Sequence, residues 1–430
     1  MFRRTESDWM PDYLDLLNAQ RKLGYTTEAA IADIADNPFD AGATKCYITL
    51  KYKEKNRKAK IVDNIIFADN GRGMTEYELS KALIPASTGR VRKYTNELGY
   101  FGVGLLASGL ALGNRIEIFT RGSEGDFYSY IDWNEKLKSN SPANVVRPCT
   151  PDEKTSVLNA YLKESETGTV VWLSDLQLIS KKYDVMMSEI EYHLSTTYYD
   201  LRDKYQLFLD NKPVKPWDFI EREDSPFVTE VKSFPVTRDA QGRAIQANVT
   251  LQISYVKQTN HKRWFEIMGR TNDNQGGALI RNGRMLTRGD MMGIEKKNPA
   301  NNALRFVVTY DDVALDNHIF SLNVQKDKCQ IVNKEFKDWL DGEVKLFIKT
   351  HLNELNKKFR VSTPKTGGTS GKVKSGSTLP LPLVRSRAVA NCPVIVKLKA
   401  VNVNKMTPFE ALQMVQELHT EALTLVEVSN

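Results

Sequence analysis

Asp33, Asn37 and Asp40 stand four and then three residues apart in the run Asp33-Ile-Ala-Asp-Asn37-Pro-Phe-Asp40-Ala-Gly-Ala. On a helix this spacing sets all three on one face, while Ile31, Ile34 and Ala35 occupy others. A carboxylate beside a neutral amide oxygen can activate water and ligate a hard cation such as Mg. The same pattern suits an acidic face turned to solvent. Pro38 removes the amide that would bond Ile34, so the helix should bend or loosen there, and Gly42 supplies its stop.

A second run, Phe67-Ala-Asp69-Asn-Gly71-Arg-Gly73-Met74, follows the apolar stretch Ile61 to Phe67. An aspartate at a strand end before two glycines offers a carboxylate acceptor and lets the backbone come close to a flat ligand. A hairpin turn would have the same composition. A third run, Gly99-Tyr100-Phe101-Gly102-Val103-Gly104, leads into apolar residues of helical character. Glycines at a helix entry expose amides and the positive end of the dipole to a phosphate chain. This run lacks the Lys-Ser/Thr ending of a P-loop. The Thr366 to Lys372 run has the wrong spacing for one and follows no strand, and it reads as linker. His193, on a long helix, reads as a packed or surface residue.

The elements that must position these residues are mixed. Thr27 to Asp40, Glu76 to Leu83, Tyr183 to Leu201 and Lys334 to about Lys357 have helical periodicity. Tyr47 to Tyr52, Lys60 to Ala68, Ile116 to Thr120, Asp126 to Trp133 and Val170 to Leu173 read as strands. From about Leu207 a strand-rich stretch opens with a hairpin at Asp210-Asn211 and continues through Ala247 to Val256, Trp264 to Met268, Leu279 to Leu286 and Phe306 to Val313. Helices and strands cluster rather than alternate strictly, which predicts two α+β layered domains.

Composition bounds the rest. The 430 residues, 41% of them hydrophobic, suffice for two or three cores, and the charged start and absence of a long uncharged span predict a soluble, unsecreted chain with no membrane segment. Four scattered cysteines form no CxxC pair, so neither zinc nor a disulfide framework is expected, and a cytoplasmic or nuclear setting fits. Of the net charge of +7, five come from Lys365, Lys372, Lys374, Arg385 and Arg387 in an acid-free stretch rich in Gly, Ser, Thr and Pro. That stretch reads as a flexible linker. Beyond it, Thr407-Pro-Phe-Glu410 is a capping box opening an amphipathic helix with Leu412, Val415, Leu418, Ala422 and Leu425 on one face.

In this order the N-box at Asp33 to Ala43, Asp69-Asn-Gly-Arg-Gly73, the glycines Gly99 to Gly104, and Gly168-Thr169 before a buried strand resemble the nucleotide site of the GHKL ATPases, the gyrase B, heat-shock chaperone, histidine kinase, MutL and MORC superfamily. The resemblance implies that Asp69 binds the adenine amino group, with Gly71, Gly73 and Met74 beside it, that Thr169 supports the adenine, and that Asn37 holds Mg. It implies a lid of Gly99, Tyr100, Phe101, Gly102, Val103 and Gly104 over the phosphates. The family's general base is a glutamate where this chain has Asp33. One methylene less misplaces the carboxylate, and about 1 Å of misplacement can cost roughly 100-fold, which predicts slow hydrolysis.

Ile280-Arg-Asn282-Gly283-Arg284-Met285 resembles the strand turn of the MutL transducer domain. Ser321-Leu-Asn323-Val324-Gln-Lys-Asp-Lys328 resembles its loop whose lysine reaches the γ-phosphate, which implies Lys328 as sensor, with Lys326 as the alternative. The resemblance spans roughly residues 26 to 331. It implies a Bergerat-type α/β sandwich ATPase domain over 26–204 and a ribosomal-protein-like α/β transducer over 205–360. The basic linker takes 361–390, a helical association element 391–430, and residues 1–25 serve as a dimer contact. The implied activity is that of an Mg-dependent ATPase of MutL/MORC type that dimerises through its N-terminal domains with ATP and clamps or remodels DNA. A chaperone-like remodeller of polypeptides and a non-hydrolysing ATP-dependent binding module are the alternatives.

Overall fold

Cys46, Ile48 and Leu50 alternate with Tyr47, Thr49 and Lys51, and only the first set is fully buried. That period of two places one face of the strand against a core. In the computed structural model, which describes residues 13–55, 59–84, 98–99, 104–139, 145–163, 165–177, 183–220, 228–256, 275–294, 297, 303–316, 318–322 and 329–359, this strand lies inside the first of two large sheets, between two others. The chain divides into two units, Met1–Val361 and Ser362–Asn430, and every described residue lies in the first. The linker and the C-terminal helix expected from the sequence lie outside the described residues.

In chain order the first sheet and its helices are α1 (Tyr13–Arg21), α2 (Thr27–Asp40), β1 (Lys45–Lys55), β2 (Ala59–Asp69), α3 (Glu76–Ala82), α4 (Gly104–Leu112), β3 (Gly113–Gly122), β4 (Gly125–Asp132), α5 (Trp133–Ser139) and β5 (Val145–Pro148). There follow α6 (Pro151–Glu153), a π-helical stretch (Lys154–Asn159), α7 (Ala160–Leu162), β6 (Gly168–Leu176), α8 (Tyr183–Thr197) with a 3-10 turn at Tyr199–Leu201, β7 (Gln206–Leu209) and β8 (Lys212–Pro213). The eight strands run β5-β4-β3-β6-β2-β1-β7-β8, antiparallel except for β1 with β7. Ile48, Ile65, Phe67, Ile116, Ile118 and Leu173 project from one face into a core shared with Ile31, Ile34, Leu110 and Ile190 of the helices. Each such side chain, fully buried, stabilises the fold by ~1.5–3 kcal/mol. The other face is partly covered by Val157, Leu158 and Leu162 of the 151–162 run.

The second sheet comprises β9 (Val228–Arg238), β10 (Ala244–Tyr255), β11 (Gly276–Arg281), β12 (Arg284–Asp290) and β13 (Leu304–Tyr310), in the order β12-β11-β13-β10-β9. A small pair, β14 (Phe320–Leu322) and β15 (Cys329–Ile331), precedes α9 (Lys334–Phe359). Helix α9 lays Phe336, Leu340, Val344 and Phe347 against Val249, Leu251, Ile253 and Phe306. Sheets with helices on their faces fit the mixed α/β layering that the resemblance implies.

Several boundaries differ from the sequence reading. The Asp210-Asn211 turn is a hairpin, with both residues at positive φ of 46° and 62°. It extends the first sheet through β7 beside β1, however, and does not open the second. The edge of the first body therefore moves past the boundary expected at residue 204, because Leu207 and Leu209 bury their side chains in its core. Leu279 to Leu286 is two strands around Asn282-Gly283. The strand expected at Trp264 to Met268 lies outside the described residues. Among the described residues, no helix is long and apolar enough to cross a membrane.

Candidate functional site

Helix α2 starts at Thr26, whose hydroxyl accepts from the Ala29 amide at 3.2 Å. It runs through Pro38 to Asp40 without the break that the missing amide would cause. The reason is local. The Asn37 side-chain amide donates to the Ile34 carbonyl at 3.1 Å, replacing the bond that Pro38 cannot make. With its nitrogen so engaged, Asn37 is exposed and keeps a neutral oxygen as acceptor.

The solvated acidic face does not exist. Asp33 is 2% exposed and Asp36 1% exposed. The Tyr25 hydroxyl donates to Asp33 Oδ2 at 3.0 Å. Burial first, then the charge of Asp33, pushes the Tyr25 phenol far above its ordinary range. Asp40 accepts from the Leu98 and Gly99 amides at 2.7 and 2.8 Å. At the other end of the glycine run, a Cβ built on Gly104 would stand 2.9 Å from Asp33 Oδ2, and one on Gly99 2.9 Å from Asp40 Oδ2. A side chain at either position would have to displace a carboxylate of α2. Tyr100, Phe101, Gly102 and Val103, between these two glycines, lie outside the described residues.

Past the end of α2, where the Arg72 amide donates to the Ala41 carbonyl, the strand ends form a row. Asp69 of β2 is in register with Thr169 of β6, which is in register with Thr120 of β3. The Asp69 Oδ1 accepts from the Gly71 amide at 2.8 Å, so the chain turns back on its own carboxylate rather than entering a hairpin. Burial raises the Asp69 carboxyl to about 7, against the opposing pull of the Gly71 and Thr169 amides. Gly73 packs so closely on the Arg121 carbonyl that a Cβ would stand 2.1 Å from it. The Thr120 hydroxyl lies 3.3 Å from that of Thr169 and accepts from the Met74 amide at 2.8 Å. Thr167 donates to the Gly71 carbonyl at 2.7 Å.

The loop between β2 and α3 is held from outside. Asn70 Oδ1 accepts from the Thr44 and Lys45 amides, both at 2.9 Å. Arg72 forks onto Glu78 at 2.8 and 2.7 Å, and Glu78 completes a capping box with Thr75. Charge-assisted bonding to Arg72 lowers the Glu78 carboxyl to about 2. Asp69, by contrast, has no ion-pair partner among the described residues. A buried acceptor of this kind, next to threonine hydroxyls and close-packed glycine backbone, can receive a hydrogen bond from an amino group of a flat ring.

The structure sets Gly99 and Gly104 against Asp40 and Asp33 of α2, which also carries Asn37, and gathers Asp69, Gly71, Gly73, Met74 and Thr169 at the strand ends; the two groups meet where the Arg72 amide donates to the Ala41 carbonyl and Gly71 packs on Ala41. Sequence reasoning missed Tyr25, Thr120 and Thr167, and it did not foresee that Asp40 would bind the glycine run. None carries a local signal, since each acts through a partner distant in sequence. Lys328 and Lys326 lie outside the described residues. His193 is held neutral, its pKa driven well down by burial and then by Arg288 and Arg284, as suits a packed residue.

Among the described residues no group of three His, Cys, Asp or Glu side chains could hold a metal ion. The oxygen donors at hand, Asn37 and Asp33, suit a hard cation whose shell is completed by phosphate and water, and Mg binds in that way.

Residues 25–169 match the family described as Histidine kinase-, DNA gyrase B-, and HSP90-like ATPase. That segment, about a third of the chain, contains the motifs from Asp33 to Thr169 but not the Lys328 loop, and the match supports ATP binding within the GHKL superfamily. No curated protein matches the chain.

Proposed function

We propose that the chain binds Mg-ATP between α2 and the Asp69–Thr169–Thr120 row and hydrolyses it slowly, using the bound state to dimerise its N-terminal region as a MutL/MORC-like clamp on DNA. The observation that carries the reading is Asp69, a buried carboxylate held by backbone amides, with no cation to neutralise it among the described residues. Accepting a bond from the adenine amino group compensates that burial and selects adenine over guanine, which presents a carbonyl at that position.

Asn37 would hold Mg, which when bound neutralises phosphate charge. The main-chain run from Gly99 to Gly104, held at its start by Asp40 and packed at its end on Asp33, would cover the phosphates. Asp33 orients and deprotonates the attacking water, and Lys328 of the second body meets the γ-phosphate. The clamp's attraction to DNA rests on the cationic linker. The arginines of the outer sheet face, Arg115, Arg121 and Arg147, are neutralised by Asp132, Asp126 and Glu153 at 3.3, 3.0 and 2.6 Å. They therefore add little to a phosphate-binding surface.

A second reading, a binding module that does not hydrolyse, is favoured by the Tyr25 hydroxyl on Asp33 Oδ2, which occupies an oxygen that the water would need. Single-turnover phosphate release separates the two. Hydrolysis lost in Asp33→Asn and gained in Tyr25→Phe supports the enzyme; no release from the wild type supports the module. Light scattering with ADP and with a non-hydrolysable ATP analogue plus Mg tests the dimer, and a mass indifferent to nucleotide contradicts the clamp.

A further inference from the structure

Asp36, the residue before Asn37, is buried on α2, yet its partner comes from the far sheet. Arg284 Nε donates to Asp36 Oδ1 at 2.7 Å, and the two side chains are 4% and 2% exposed. The Tyr198 hydroxyl donates to the same oxygen at 2.7 Å and lies 2.6 Å from the Ala32 carbonyl, binding α8 to the same turn of α2. Arg284 begins β12, straight after the Asn282-Gly283 turn. Asn282 and Gly283 both take positive φ, 50° and 77°, and a Cβ on Gly283 would stand 2.6 Å from Leu201, which ends the 3-10 turn after α8. The turn is thus shaped to deliver Arg284 into α2. Burial opposes the guanidinium charge, but Asp36, Tyr198 and the Asp33 carboxylate outweigh it and raise its pKa.

A buried ion pair seldom adds much stability over an apolar pair of the same volume, and its best-attested use is to fix a register. Here the register fixed is that of the turn carrying both Asp33 and Asn37, and it is fixed by the second sheet.

We propose that the Asp36–Arg284 pair is a latch through which the β11–β12 hairpin sets the position of α2, and through which occupancy of the nucleotide site is felt by the second sheet. This rests on the ATP reading above. Arg284 is a positioning residue: it acts on the site through Asp36. Movement of α2 when Asn37 engages Mg-ATP pulls on Arg284 and hence on the hairpin. Conversely, displacement of the hairpin shifts Asp33 relative to the attacking water.

The test is hydrogen exchange on the full chain, with and without a non-hydrolysable ATP analogue plus Mg, comparing the wild type with the double variant Asp36→Asn, Arg284→Met. The neutral pair avoids stranding a buried charge, and a thermal melt checks that it folds. In the wild type, the analogue should slow exchange in the peptide covering residues 276–290 at least threefold. In the double variant, binding stays within about tenfold while the hairpin response disappears. Arg284→Lys, which retains the charge, should recover part of the response and lower kcat with KM little changed. An undiminished hairpin response in the double variant overturns the latch alone. A wild type that binds no analogue overturns the ATP reading, and the latch with it.

Discussion

Two aspartates at the heart of the first body, Asp36 on α2 and Asp69 at the end of β2, are both buried, 1% and 8% exposed, and have been given opposite surroundings. Asp36 has Arg284 and Tyr198 on one oxygen. Asp69 has backbone amides, and its carboxyl is raised to about 7. A buried charge that is fully paired belongs to the architecture. Asp69, whose partners among the described residues are amides, is the carboxyl to which the proposed nucleotide would supply a further partner.

The contrast can be broken most forcefully at Asp36. Asp36→Ala strands the Arg284 guanidinium and should cost roughly 3–5 kcal/mol in a urea or thermal unfolding measurement. Asp69→Asn should do the opposite to the ligand-free protein. At pH 8 it removes an uncompensated buried charge and should stabilise the fold by on the order of 2–4 kcal/mol. Because the folded pKa of Asp69 lies above its unfolded value, its contribution is fully present below pH about 4 and is lost as pH rises through about 7. Ligand-free wild type should therefore lose stability over that window, and Asp69→Asn should flatten the loss.

Nucleotide binding sharpens the same point from the other side. The ionised carboxylate is the better acceptor, so affinity for ATP should fall as pH drops below about 7, approaching about tenfold per unit. Isothermal titration across pH 5.5 to 8.5 would show this, and the slope should vanish in Asp69→Asn. The smallest stability effect is expected at Asn37, which is exposed. Asn37→Ala loses the bond to the Ile34 carbonyl, about 1 kcal/mol, while removing the dependence of nucleotide binding on Mg.

What could be seen in the sequence was whatever is written within a few residues. Asp33 and Asn37 share a helical turn, Asp69 ends an apolar strand before Gly71 and Gly73, and Gly168-Thr169 opens another. The Asn-Gly turn before Arg284 was visible, but its target was not. Asp36 lies 248 residues away, and only the fold brings the two together. The same holds for Thr120 with Met74, 46 residues apart, and for Asp40 with Leu98, 58 apart. Pro38 shows the limit of a local rule. The lost amide should have loosened the helix, and the adjacent Asn37 supplies a substitute donor that a propensity argument does not include. The β7–β8 hairpin was read correctly as a turn and assigned to the wrong sheet, because parallel pairing with β1 leaves no mark in the local pattern.

The most direct test of the account is calorimetric titration of Mg-ATP at pH 8 into the wild type and into Asp69→Asn, with melting curves of both. The account predicts saturable binding by the wild type, and binding at least roughly 100-fold weaker in a variant that melts no lower than the wild type. Equal binding by the two, or none by the wild type, would contradict it.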